Sequence, residues 1–183
     1  MSSMPQPVGG SAGAIARELA RCRPNLVQRL NQHLAATRLV SWIFARSLHH
    51  LDGAMLRFTG GRRAFTELVA GLPVMTLTTT GAKSGLSRTS PIIGIPDGER
   101  IVVIGTNFGQ RRNPAWFYNV RANPAASIAY HGLRARYTGQ PATEEERERF
   151  WREGAKVYVG YAAYLRRVVG REVPIIVLTP RGA

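Results

Sequence analysis

The chain is poor in several residue types that normally announce a function. Cys22 is its only cysteine, which excludes an intramolecular disulfide, a zinc ribbon and a cysteine-ligated cluster and fits a reducing, cytoplasmic setting. No run approaches the roughly 18 apolar residues that a membrane span requires. The opening stretch, residues 1–13, is rich in Gly, Pro and Ser and lacks a basic segment followed by an apolar one, so it reads as a flexible tail and not as a signal peptide. Lysine is almost absent too: Lys83 and Lys156 are the only two, against 23 arginines. Acidic residues number 11, leaving a formal charge of +14 on 183 residues. Histidines 33, 49, 50 and 131 form no metal-ligand pattern with a carboxylate, and no Ser-His-Asp, Cys-His or paired-carboxylate arrangement can be read. No metal site is expected.

What is present is a foldable chain. With 44% hydrophobic residues it can bury a core, which sets it apart from a disordered basic tail. The basic excess leaves three partner classes: nucleic acid, an anionic membrane surface or an anionic small molecule. Nucleic acid is disfavoured because the arginines are spread along the chain and no recognition motif accompanies them.

Three regions follow from pattern: a tail over 1–13, a basic helical extension over 14–70, and a β-rich domain over 71–183. In the extension, Leu26, Leu30, Leu34, Val40, Ile43, Phe44, Leu48 and Leu51 recur at mostly three- and four-residue spacing, with arginines between them. Asn25 is placed to cap a helix. With Leu39, Trp42, Ile43 and Phe44, this region has the composition of a helix lying on an anionic leaflet at the inner face of the cell membrane. Packing on the barrel or on a second subunit is the competing expectation.

In the β-rich part, strands are expected over Val74–Thr80, Arg88–Ile95 and Ile101–Thr106, forming an antiparallel meander with turns at Gly81–Gly85 and Pro96–Gly98. A helix is expected from Pro114 to about Ala122. A hairpin follows around His131-Gly132, then a capping-box helix from Thr143 and a last strand over Pro174–Thr179. Six strands with segregated helices argue for an α+β fold or a small barrel. The Gly81–Gly85 turn leads into a strand, so it is neither a P-loop nor a dinucleotide fingerprint.

Four clusters could carry chemistry. Thr78 to Arg88 combines three hydroxyls, two glycines, Lys83 and Arg88, a set suited to phosphate or carboxylate. Gly105-Thr106-Asn107-Phe108-Gly109 follows a strand and can bring amides against a flat ring. Asn113 to Pro124 holds Trp116, Phe117 and Tyr118, with Phe117 the best candidate for core. Tyr158, Tyr161 and Tyr164 form a phenol stripe across Gly160.

In this order and spacing the clusters resemble the deazaflavin (F420H2)-dependent nitroreductase and quinone reductase family, mostly from actinobacteria. The matching strings are Leu72-Pro73-Val74, Thr78 to Gly85, Asp97-Gly98, Asn113-Pro114-Ala115-Trp116, Asn119 and Arg121-Ala122-Asn123-Pro124. The resemblance implies an FMN-binding split-barrel-like fold with flanking helices. It implies coenzyme F420 as cofactor, with FMN the alternative, and hydride transfer to a small acceptor such as a quinone or nitroaromatic. Coenzyme contacts carry over to Thr80, Lys83, Ser84 and Arg88, to Thr106, Asn107, Phe108 and Gly109, and to Pro114, Trp116 and Asn119. The three tyrosines would line the acceptor pocket and supply a proton. Phe108 departs from the family, which has glycine there. A carrier of deazaflavin, haem-like or lipid ligands and an FMN-dependent oxidase are the competing functions; pairing into a homodimer is expected of many such barrels.

Overall fold

The computed structural model describes residues 8–22, 24–35, 37, 52, 55 and 65–181. The expected membrane-facing residues Leu39, Trp42, Ile43 and Phe44 lie outside the described residues. Seven strands form one antiparallel sheet: β1 (Val74–Thr80), β2 (Ser87–Ile93), β3 (Ile95–Asp97), β4 (Arg100–Ile104), β5 (Ala125–Tyr130), β6 (Leu133–Pro141) and β7 (Ile175–Pro180). Their order is β2-β1-β5-β6-β7-β4-β3. The first and last strands of that order are joined in sequence by one residue, Gly94. The two edges must therefore approach each other, and the sheet curls into a half-barrel.

That order corrects the expected meander. The run read as one strand over Arg88–Ile95 breaks at Gly94 into two strands on opposite edges, so the strand count is seven and not six. A side chain there would displace buried neighbours. A Cβ on Gly94 would come within 2.8 Å of the Met75 sulfur and 3.1 Å of Leu19.

Leu19 belongs to α1 (Val8–Arg21), which begins inside the stretch read as a flexible tail. The tail reading fails there because Ala12, Ile15, Ala16 and Leu19 recur on one side of a helix. They are all buried, and Ala12, Ile15 and Leu19 share a core with Met75, Leu77, Ile128, Tyr130 and Tyr137. A second core gathers Val102, Ile104, Ile175 and Val177 of the sheet with Phe150, Tyr158, Tyr161 and Tyr164.

α2 (Leu26–Ala35) opens as expected on Asn25, whose side chain accepts from the Gln28 N–H while Gln28 accepts from the Asn25 N–H. Its burial is reversed from what the leucine period implies. Leu26, Val27 and Leu30 are exposed, and the amides Gln28, Asn31 and Gln32 face inward. They donate to the carbonyls of Leu68, Val69 and Ala70 at the end of the short helix α3 (Phe65–Ala70). The Cys22 thiol donates to the next carbonyl, that of Gly71. Burial pushes this thiol up to about 11, with Glu67 adding to the effect, so it stays protonated. At the other end of α3, buried Asp52 accepts from the Thr66 N–H and hydroxyl. Unpaired carbonyls at a helix end are costly; here side chains satisfy four in succession.

The remaining helices are α4 (Ala115–Ala122), α5 (Glu144–Val157) and α6 (Gly160–Leu165). The capping box at Thr143 and Glu146 forms as expected. α5 is held to the β3–β4 hairpin by Asp97, which accepts from Arg149 at 2.6 Å and Arg100 at 2.5 Å, while Arg100 also reaches Glu146 at 3.1 Å.

These donors, Arg149 foremost, hold the Asp97 carboxyl below the usual carboxylate range. A carboxylate whose folded value is depressed stabilises the fold above the ordinary value near 4 and loses that contribution as pH falls through the folded value. Asp97→Asn is expected to lower Tm by a few degrees at pH 7. The gap to the parent should close in thermal melts as pH falls below the ordinary carboxylate value of about 4; a constant gap would assign the loss to packing.

Candidate deazaflavin site

The β1–β2 turn and α4 are built as one unit. Asn119 accepts from the Ala82 N–H at 3.0 Å and donates to the Thr79 hydroxyl at 3.0 Å. Both Asn119 and Thr79 are buried. The turn then presents Lys83 and Ser84 to solvent, with Arg88 beside them in β2 and its guanidinium 3.5 Å from the Ser84 hydroxyl. Neither Lys83 nor Arg88 forms an ion pair with a described residue. Thr80, half-buried at the end of β1, pairs with Ser87. An exposed lysine, arginine and hydroxyl on a fixed turn match the requirements of a phosphate or carboxylate group.

The second part is the loop after β4. Thr106 is right-handed (φ −65°), and Asn107, Phe108 and Gly109 are all left-handed (φ 48°, 55° and 79°). A right-then-left pair turns successive N–H groups toward one concave side, where an anion or a carbonyl oxygen is accepted. Two non-glycine residues in this region cost roughly 1–2 kcal/mol each, so the surroundings must enforce it. The Asn107 amide donates to the Arg112 carbonyl at 2.9 Å. Phe108, half-buried, sets its ring edge-on to Tyr164 at 6.0 Å.

Arg171 closes the loop from behind. Its guanidinium donates to the carbonyls of Gln110 (3.0 Å) and Thr106 (2.8 Å), more distantly to that of Gly105 (3.4 Å), and to the Asn113 side chain. Desolvation holds Arg171 below the ordinary arginine value, though an arginine stays cationic. Sequence reading missed this residue. Arg171 is one arginine among 23, and no local motif marks it.

The tyrosine stripe forms, but inside the second core. Tyr158, Tyr161 and Tyr164 are 5%, 3% and 3% exposed. The Tyr158 and Tyr164 hydroxyls bond to each other at 2.9 Å. Burial raises Tyr158 and Tyr161 far above the ordinary phenol value, so they are neutral donors and never phenolates. Gly160 is required by this packing, since a Cβ there would overlap the Tyr158 ring.

The aromatic run of α4 is assigned differently from the expectation. Trp116 is the core residue, 7% exposed in the first cluster with Val120. Phe117, half-buried, packs against the same core beneath the Arg121 guanidinium. Trp116 and Asn119 do share the buried face, as their spacing implies. Pro114 caps the helix start. These residues support the site from within the fold. The structure thus brings Lys83, Ser84, Arg88 and Asn119 together, and Thr106 to Gly109 with Tyr164. α4 follows the second group in sequence and holds the first through Asn119. From Ala115 to Asn119 the helix rises about 6 Å.

Replacing Asn119 with Ala removes the partner of a part-buried N–H at Ala82 and of the buried Thr79 hydroxyl. Chemical denaturation should show a loss of about 2 kcal/mol, and amide exchange should accelerate first at Ala82.

Comparison with known proteins agrees with this geometry. A quinone reductase of Mycobacterium tuberculosis described as F420H(2)-dependent is 29% identical over 140 residues, covering 73% of this chain and 91% of that protein. The solved structure of an F420-H2 dependent reductase is 30% identical and covers 58% of this chain and 93% of its own, with a TM-score of 0.54. A second solved chain, described as a domain-swapped dimer, is 27% identical and covers 69% of this chain and 94% of its own, at a TM-score of 0.56. The model of the F420H(2)-dependent quinone reductase family matches residues 49–180. With its split-barrel-like half-barrel, the chain is an oxidoreductase that belongs to the F420H(2)-dependent quinone reductase family, with F420 as its cofactor.

Proposed function

We propose that this protein passes a hydride from F420H2 to a small electron-poor acceptor, with quinones the first class and nitroaromatics the second. The observations that carry the reading are an exposed Lys83–Ser84–Arg88 turn anchored to α4 through Asn119, and the left-handed turn at 107–109 in the loop after β4. F420H2 supplies the hydride when bound; the protein's contribution is orientation.

In this reading Lys83 and Arg88 neutralise the acidic tail of the coenzyme, and the Ser84 hydroxyl and Thr80 complete the contact. The N–H groups of the Asn107 loop face the polar edge of its ring, with Thr106 and Gly109 shaping the approach. Phe108 narrows the space that glycine would leave. Pro114, Trp116 and Asn119 act from beneath. Tyr158, Tyr161 and Tyr164 act as neutral donors to the acceptor; the raised phenol values make full proton loss from them unfavourable.

Titration with F420, FMN and FAD followed by an acceptor screen tests the whole reading. Tight F420 binding with F420H2 oxidation by menadione supports it; binding without oxidation favours a carrier, and preference for FMN favours a flavin oxidase. In the same assay, Lys83→Ala and Arg88→Ala should each raise KM for F420H2 about tenfold, the loss of one charged hydrogen bond, with kcat little changed. Tyr158→Phe should lower kcat severalfold at unchanged KM; an unchanged kcat removes the tyrosines from the proton path.

A second surface supports peripheral contact with an anionic membrane. Leu26, Val27 and Leu30 of α2 are 87%, 67% and 61% exposed, with Arg29 between them. No helix among the described residues is long and apolar enough to cross a bilayer, so the contact would be interfacial. Co-sedimentation with anionic vesicles should fall in Leu26→Gln/Leu30→Gln. Equal partitioning, with a shift from dimer to monomer on gel filtration, would assign the surface to a second copy.

A further inference from the structure

The 105–113 loop is wrapped around the Arg171 guanidinium. Its Nε meets the Gln110 carbonyl and its Nη2 the Thr106 carbonyl. Its Nη1 meets the Asn113 side chain and approaches the Gly105 carbonyl. These acceptors lie before, beyond and at the far end of the left-handed turn at 107–109. The guanidinium therefore fixes both ends of the turn. Carbonyls drawn toward one cation turn the Asn107 and Phe108 N–H groups the other way, while the Gly109 N–H closes back on the Thr106 carbonyl.

Other contacts do not replace this one. The loop is braced on its opposite side by the Phe108–Tyr164 ring contact and by the approach of Gly109 to the Tyr164 carbonyl and the Arg167 stem. Those contacts place the loop; the Gly109 N–H also donates to the Thr106 carbonyl at 2.9 Å, and Arg171 adds the bonds to Gln110, Asn113 and Gly105 that hold acceptors on both sides of the turn. Planarity matters, because three nitrogens point outward in one plane and reach acceptors on different sides at once; an ammonium is a single point.

We propose that Arg171 is a positioning residue for hydride transfer, holding the 105–113 loop in the left-handed form that seats the ring of the coenzyme. The proposal rests on the F420 reading above. Arg171 touches neither coenzyme nor acceptor in this account; it acts through the loop carbonyls. Its loss releases Asn107 and Phe108 from a conformation they do not favour alone.

The test uses the full chain, Arg171→Ala and Arg171→Lys, with two readouts. In coenzyme-free protein, amide exchange over residues 105–113 should accelerate tenfold or more in Arg171→Ala, with the β5–β6 hairpin unchanged. Oxidised F420, followed by its fluorescence, should bind at least tenfold more weakly, and steady-state kinetics should show the effect in KM for F420H2 more than in KM for menadione. Ethylguanidinium at millimolar concentration should restore part of the binding to Arg171→Ala, since the site is partly open. Arg171→Lys should recover less than half of the loss. Uniformly faster exchange throughout the barrel, or unchanged loop exchange with unchanged F420 affinity, overturns the proposal. If Arg171→Ala does not fold, the same comparisons decide on Arg171→Lys. If the parent itself fails to bind F420, the coenzyme reading falls, and the exchange data still decide whether Arg171 sets the loop.

Discussion

The two edges of the sheet are tied together by a single residue. Because β2 and β3 flank Gly94, the strands at opposite ends of the sheet order cannot separate. The sheet must curl, and a curled sheet has an inside and two ends. α1 fills one side with Ile15 and Leu19, and the Gly94 backbone lies against that filling. α5 and α6 close another side over the second core. What remains is the β1–β2 turn with the helix that anchors it, and the loop after β4. The placement of these two segments follows from closure of the sheet.

Local chemistry was legible wherever it was self-sufficient. β1 was readable to its end residues, because seven consecutive apolar and β-branched residues stop at a glycine turn. The Thr143 capping box, the Asn25 cap and the hairpin at His131-Gly132 depend on neighbours within four residues. The long-range pairings were not legible. Nothing near Gly94 distinguishes a turn from a strand junction, since the reason it is glycine sits in Met75 and Leu19. The inverted burial of α2 had the same cause. Its leucines carry the helical period, but its amides bond to carbonyls at the end of α3, partners too distant in sequence for local spacing to reveal.

The site shows the same division. The turn bearing Lys83, Ser84 and Arg88 and the unusual Phe108 loop could be read from composition. Their support could not. The resemblance implied coenzyme contacts at Asn119 and Trp116; Asn119 holds the Ala82 turn, and Trp116 packs in the core. The tyrosines lie deeper than a lining role requires, and two of them satisfy each other. Their neutrality is a product of burial, so any role they have is that of donors with an intact proton.

The placement of α1 has a consequence for how the chain reaches this state. It is the first described helix in the sequence, yet it packs on β3 at residues 95–97 and β6 at residues 133–141. During synthesis its apolar side emerges well before the strands that cover it. Contacts of such sequence separation form late and slow folding. The nascent chain therefore carries an exposed Ile15–Leu19 face through much of translation, a period in which association with chaperones or with neighbouring chains competes with barrel closure.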